Sequence, residues 1–128
     1  MARLTLHATG RASPELVWER YASLDEWAAW SPQIKAVHCP RRRLTSGMSG
    51  TVESVAGVRA AFTVEAVDHQ GRQWSWRVRL GPVALRLGHE VRAHADGSTT
   101  TLTTQGPRLA LLAYAPLARL ALHRLVRP

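Results

Sequence analysis

The sequence predicts a single α+β domain, an antiparallel sheet with its helices grouped apart from it. Three observations lead there. The stretches "RQWSWRVRL" (72–80) and "LRLGHEVRA" (85–93) alternate apolar and polar residues, the mark of strands with one buried face. Turn sequences, "DHQG", "GP" and "ADGS", separate successive strand-like runs, so that neighbours join as hairpins. The tail, 107–126, reads as one long helix, the natural cover for the apolar face of such a sheet.

Each element has its own signal. "RLTLHA" (3–8) alternates, with Leu4 and Leu6 on one face. "ASPELVWERYASL" follows as a helix, with Ser13 as N-cap and Pro14 at the first helical position, where its missing N–H costs nothing. Leu16, Val17, Tyr21 and Leu24 form its apolar stripe, with Trp18 on the flank. Ser23 and Glu26 have the spacing of a capping box, which makes "LDEWAAW" a second short helix, stopped by Pro32. Strands are expected at 34–39, 51–55, 59–67, 72–80, 85–93 and 99–105, which with the first gives seven. Gly88, inside one of them, suggests a bulge or bend. Pro116 lies within the last helix and predicts a kink.

Composition narrows the function. The 128 residues suit one domain over 1–128, 45% apolar and 20% charged, as in an ordinary globular protein. The single cysteine, Cys39, rules out an intrachain disulfide and fits a reducing compartment. "MARLTLHATG" lacks the apolar core of a signal peptide, and the longest run free of charge and amide, 109–118, is too short to span a bilayer. A cytoplasmic protein without a transmembrane segment is expected.

Net charge is +8, with 17 basic residues against 9 acidic, and all but Lys35 of the basic ones are arginine. Arg77, Arg79, Arg86 and Arg92 fall on the outer faces of adjacent strands, and Arg41, Arg42 and Arg43 form a loop run. This could be a solvated face, or a surface for an acidic protein or an anionic lipid. Nucleic acid is disfavoured, because no aromatics interleave with these arginines for base stacking. The six histidines show no metal-ligand spacing, and there is no phosphate loop, nucleophile elbow or converging carboxylate pair. Neither metal nor cofactor is expected.

Four stretches carry a family resemblance: "ASPELVWERYASLDEWAAWSPQI", "LTSGMSG", "GHEV" followed by "DGSTTTLT", and the terminal helix. Together they resemble the START-like (SRPBCC) superfamily. Its members include START lipid-transfer domains, plant pollen allergens and bacterial aromatic polyketide cyclases. The resemblance covers nearly the whole chain. It implies the helix-grip fold, in which a curved sheet wraps a long C-terminal helix and two short helices close one end of a cavity.

Within that frame, candidate site residues can be named. By alternation His89 shares the apolar face of its strand with Leu87 and Val91, either as a satisfied core histidine or as a ligand hydrogen-bonder or general base. Trp74 and Trp76 point the same way, and Phe62 and Val64 join them, to fill the core or to line a pocket. Trp27 and Trp30, about one helical turn apart, either pack or touch ligand. Leu102, flanked by Thr100 and Thr104, completes the face, and Tyr114 on the last helix could donate a hydrogen bond into the cavity. The leading expectation is a binder of a hydrophobic small molecule, lipid-like or polyketide-like. The alternative is a polyketide cyclase or dehydratase with His89 as acid/base and Tyr114 as second donor. Residues 109–118 are apolar on all sides, so this helix is also expected to contribute to a homodimer interface.

Overall fold

A computed structural model describes all 128 residues. In chain order the elements are β1 (Ala2–Gly10), α1 (Pro14–Ala22), a 3-10 turn (Leu24–Glu26), α2 (Trp27–Trp30), β2 (Ile34–His38), β3 (Ser49–Ser54), β4 (Arg59–Asp68), β5 (Gln73–Leu80), β6 (Val83–His94), β7 (Gly97–Gly106) and α3 (Arg108–Leu125). The strands form one antiparallel sheet in the order β1-β7-β6-β5-β4-β3-β2. Every pairing from β2 to β7 is between sequence neighbours, and only β1 crosses over, to lie against β7 with Leu6 opposite Leu102. This is the helix-grip arrangement.

One face of the sheet is dry. Leu6, Phe62, Val64, Trp74, Trp76, Leu87, His89, Val91 and Leu102 are all buried on it, as their alternation requires. α3 packs its C-terminal half on β1 and β7 through Ala118, Ala121, Leu122 and Leu125. It runs through Pro116 as one continuous helix. Its other side leaves Leu109 80% and Leu112 59% exposed. No helix is long and apolar enough to cross a membrane.

The tryptophans of "DEWAAW" staple α2 onto α1. The last carbonyls of a helix lack partners within it. Here Trp27 Nε1 donates to the Tyr21 carbonyl and Trp30 Nε1 to the Arg20 carbonyl, both at 2.8 Å. Each indole thus buries its ring and satisfies its N–H at once.

Two local expectations need correction. Ser13 caps α1 as read, accepting from Leu16 N at 3.1 Å, but the Ser23–Glu26 capping box does not form. Ser23 is extended and makes a β-bridge with Arg43, while Leu24 N donates to the Arg42 carbonyl, so long-range pairing replaces the local cap. Gly88 carries no bulge: it pairs in regular register with Ser75 and Thr103. The register shifts lie instead between Ile34 and Ala36 and between Val64 and Ala66, where an extra residue bends the strand. The missing Gly88 side chain leaves a polar depression on the outer face beside Ser75, Thr101 and Thr103.

The outer arginines are largely laced to acids. Glu65 bridges Arg77 at 3.0 Å and Arg86 at 3.2 Å, Glu90 holds Arg92 at 2.6 Å, and in the loop run Asp25 and Glu19 hold Arg42 and Arg43.

Candidate functional site

Between the dry face of the sheet and the N-terminal half of α3 lies a cavity of about 420 Å³. It exists because α3 presents small side chains there. Ala110 and Ala113, three residues apart on one helix face, stand off from the sheet where Leu122 and Leu125 would fill the space. The sheet wall is Val52, Ala60, Trp76, Val78, Leu85 and Leu87, and the α2–β2 corner supplies Trp30, Ser31, Gln33 and Ile34. Fifteen of the twenty lining residues are hydrophobic. Val58, Leu80 and Leu117 line the cavity yet are 40–48% exposed, so the cavity reaches the surface between α3 and the β3–β4 and β5–β6 turns.

The polar groups of the lining are few and neutral, with one exception. His89 Nε2 accepts a hydrogen bond from Trp76 Nε1 at 3.1 Å. An indole N–H can only donate, so Nε2 offers its lone pair and the proton of the neutral ring resides on Nδ1. That Nδ1 is buried without a partner. The imidazole lies flat on Trp74, with centroids 4.5 Å apart and planes at 14°. Burial among these rings pushes the His89 pKa down to about 3. Tyr114 also lines the cavity, and burial alone raises its pKa to about 12. The exception is Glu53, held below the usual carboxylate range by its 2.9 Å hydrogen bond with His38 and further paired with Arg59.

A second polar chain stands behind this wall. The Tyr21 hydroxyl meets Thr100 Oγ1 at 2.6 Å, and Thr100 Oγ1 donates to the Glu90 carbonyl. Burial raises the Tyr21 pKa, which keeps the phenol neutral. Thr104 Oγ1 is buried without a partner.

Of the residues expected to touch ligand, Trp30, Trp76, Leu87, His89 and Tyr114 line the cavity. Trp27, Phe62, Val64, Trp74, Val91 and Leu102 do not; the structure places them in the solid part of the core. The reason is the Trp27 ring, which is fully buried and fills that end of the sheet. It stacks on Trp74 with centroids 5.6 Å apart and meets Phe62 and Trp76 at 5.9 and 5.1 Å. The sequence reading missed Val52, Val78, Leu85, Ala110, Ala113 and Gln33. Strand alternation could have found Val78 and Leu85, and the spacing of two alanines in an otherwise leucine-rich helix could have found Ala110 and Ala113. No group of three or more His, Cys, Asp or Glu side chains is placed to hold a metal ion.

Solved structures share this architecture. The chain superimposes on Ara h 8.0201 with a TM-score of 0.79 at 10% identity, covering 97% of this chain and 94% of that one. It is similar to XoxI from Bacillus cereus, with a TM-score of 0.81, 17% identity, and 98% and 94% covered. It also matches the di-domain ARO/CYC protein BexL from the BE-7585A biosynthetic pathway, with a TM-score of 0.81 and 15% identity, over 98% of this chain but 45% of that one. At these identities the likeness shows the fold. No curated protein matches the chain in sequence. The family model described as polyketide cyclase / dehydrase and lipid transport matches residues 1–127, and the chain, with its helix-grip sheet and cavity, belongs to that family within the START-like superfamily.

Proposed function

We propose that the protein binds an apolar small molecule, lipid-like or polyketide-like, between the sheet and α3. The observation that carries this reading is the cavity itself, about 420 Å³ with a mostly hydrophobic lining and an apolar mouth. Its volume falls in the range of small-molecule sites, and burial of ligand surface supplies the driving force. A packed core without function would not keep Ala110 and Ala113 opposite Val78 and Leu85 with space between them.

Catalysis of the cyclase or dehydratase type, with His89 as acid/base, is the weaker reading. The Nε2 lone pair is engaged by Trp76, and a pKa of about 3 leaves no imidazolium to donate at neutral pH. His89 and Tyr114 serve better as fixed hydrogen-bond groups than as proton shuttles. The acidic-partner reading is weakened by Glu65 and Glu90, which already pair with three of the outer arginines. The same proposal sets the protein in the cytoplasm and pairs two copies through the exposed leucines of α3; a monomer by light scattering at micromolar concentration would refute the pairing.

Native mass spectrometry of the purified protein, with denaturing extraction, tests the main reading. A stoichiometric apolar adduct is the expected result. An apo mass that does not shift on adding fatty esters or aromatic polyketides would overturn it.

A further inference from the structure

The structure points to a narrower ligand class, and we infer that the cavity takes an uncharged, carbonyl-bearing apolar molecule and rejects carboxylates. The inference rests on the ligand-binding reading above. Its basis is a mismatch between the charge of the protein and the charge of its cavity. The chain carries 17 Lys and Arg, yet none of them lines the cavity. The one ionised side chain in the lining is Glu53, which is itself negative. A carboxylate drawn in would lose its hydration and find no cation in the lining, and the nearby Arg59 is already paired with Glu53.

The polar groups of the lining say what is accepted instead. The Tyr114 hydroxyl lines the cavity and takes no hydrogen bond from a protein group. His89 has its Nε2 occupied by Trp76 and its Nδ1–H buried away from the cavity surface, so it offers a ligand no further hydrogen bond. The phenol is a neutral donor, and an unsatisfied donor among apolar groups gains most from an acceptor brought in by a ligand. A ketone or ester oxygen supplies that acceptor without bringing charge. The raised Tyr114 pKa keeps this donor uncharged across the neutral range.

A matched series separates the contributions: methyl laurate, laurate and dodecane, titrated at pH 7 against the intrinsic fluorescence of Trp30 and Trp76 in the cavity wall. Methyl laurate is expected to bind at least about tenfold tighter than laurate, since the shared chain leaves only the charge to differ. Tyr114→Phe is expected to weaken methyl laurate by about fivefold and leave dodecane unchanged, the size of one lost hydrogen bond. Laurate binding as tightly as its ester would overturn the inference and leave the apolar cavity standing. Dodecane matching the ester in the wild type would remove the carbonyl requirement. Failure of all three to bind would overturn the ligand-binding reading, and this inference with it.

Discussion

Trp76 and His89 meet diagonally across β5 and β6, the indole Nε1 donating to the imidazole Nε2 at 3.1 Å. Neither is opposite the other in the ladder: Trp76 pairs with Leu87 and His89 with Trp74. The diagonal reach of two large rings therefore couples the cavity wall to the solid core, because His89 also stacks on Trp74. Trp76→Phe keeps an aromatic ring but removes the donor. It should destabilise the fold by about 1–3 kcal/mol, the cost of a buried acceptor left unsatisfied together with some lost packing. Urea denaturation measures it, and an unchanged midpoint would mean that the pair contributes nothing.

The same histidine sets a pH dependence. Burial lowers its pKa from 6.5 to about 3. Between those values the unfolded chain binds a proton that the folded one does not. Stability is thus undiminished by this group above about pH 6.5 and is lost as pH falls toward 3, by up to about 1.4 kcal/mol per pH unit. His89→Leu should remove that part of the slope. Urea midpoints at pH 7 and about pH 4.5 for both proteins give the comparison, and equal losses in the two would show that His89 does not titrate in this way.

Filling the cavity should abolish binding without breaking the fold. Ala113 faces the space from α3, and Ala113→Trp places an indole in it. Binding of the neutral dye Nile red should fall by more than about tenfold, while circular dichroism and the cooperativity of unfolding persist. Dye binding unaffected by this substitution would locate the bound dye elsewhere.

Two glycines should respond very differently to alanine. A Cβ on Gly97 would collide with the Gly10 carbonyl oxygen where β7 passes the end of β1, so Gly97→Ala should cost about 3 kcal/mol. A Cβ on Gly88 would meet only the Thr103 carbonyl oxygen at 3.9 Å, so Gly88→Ala should lie within about 0.5 kcal/mol of wild type. Thermal melts of the pair would reveal any inversion of that order.

Arg20 ties the two ends of the chain together. Its Nη1 donates to the Leu125 carbonyl at 2.7 Å and to the Arg124 carbonyl at 3.4 Å, groups that the end of α3 would otherwise leave unpaired. Arg20→Ala should lower stability by about 1–2 kcal/mol and speed amide exchange in the last turn of α3. Unaltered exchange there would show that the α3 terminus is held by its apolar side chains alone.

Strand positions and faces were legible in the sequence because they depend on a local period. The alternation of Trp74, Trp76 and Val78, and of Leu87, His89 and Val91, fixes which side chains face inward whatever the sheet packs against. The Ser13-Pro14 start of α1 was readable for the same reason, since a helix cap is decided within four residues. The Ser23–Glu26 box obeyed the same local rule and failed, because pairing with Arg42 and Arg43, distant in sequence, competed for that backbone.

By itself, the sequence determined the α+β class, the order of the elements, the apolar face of the sheet and the place of His89 on it, all consequences of residue type and spacing. Only the tertiary structure decided which part of that face is solid and which is hollow. Trp27 and Trp74 fill one end because α2 folds back on the last carbonyls of α1, and Ala110 and Ala113 leave the other end open because α3 crosses there at a distance that their side chains do not span. Hollowness is a difference between facing volumes from segments far apart in the chain, so no local period records it.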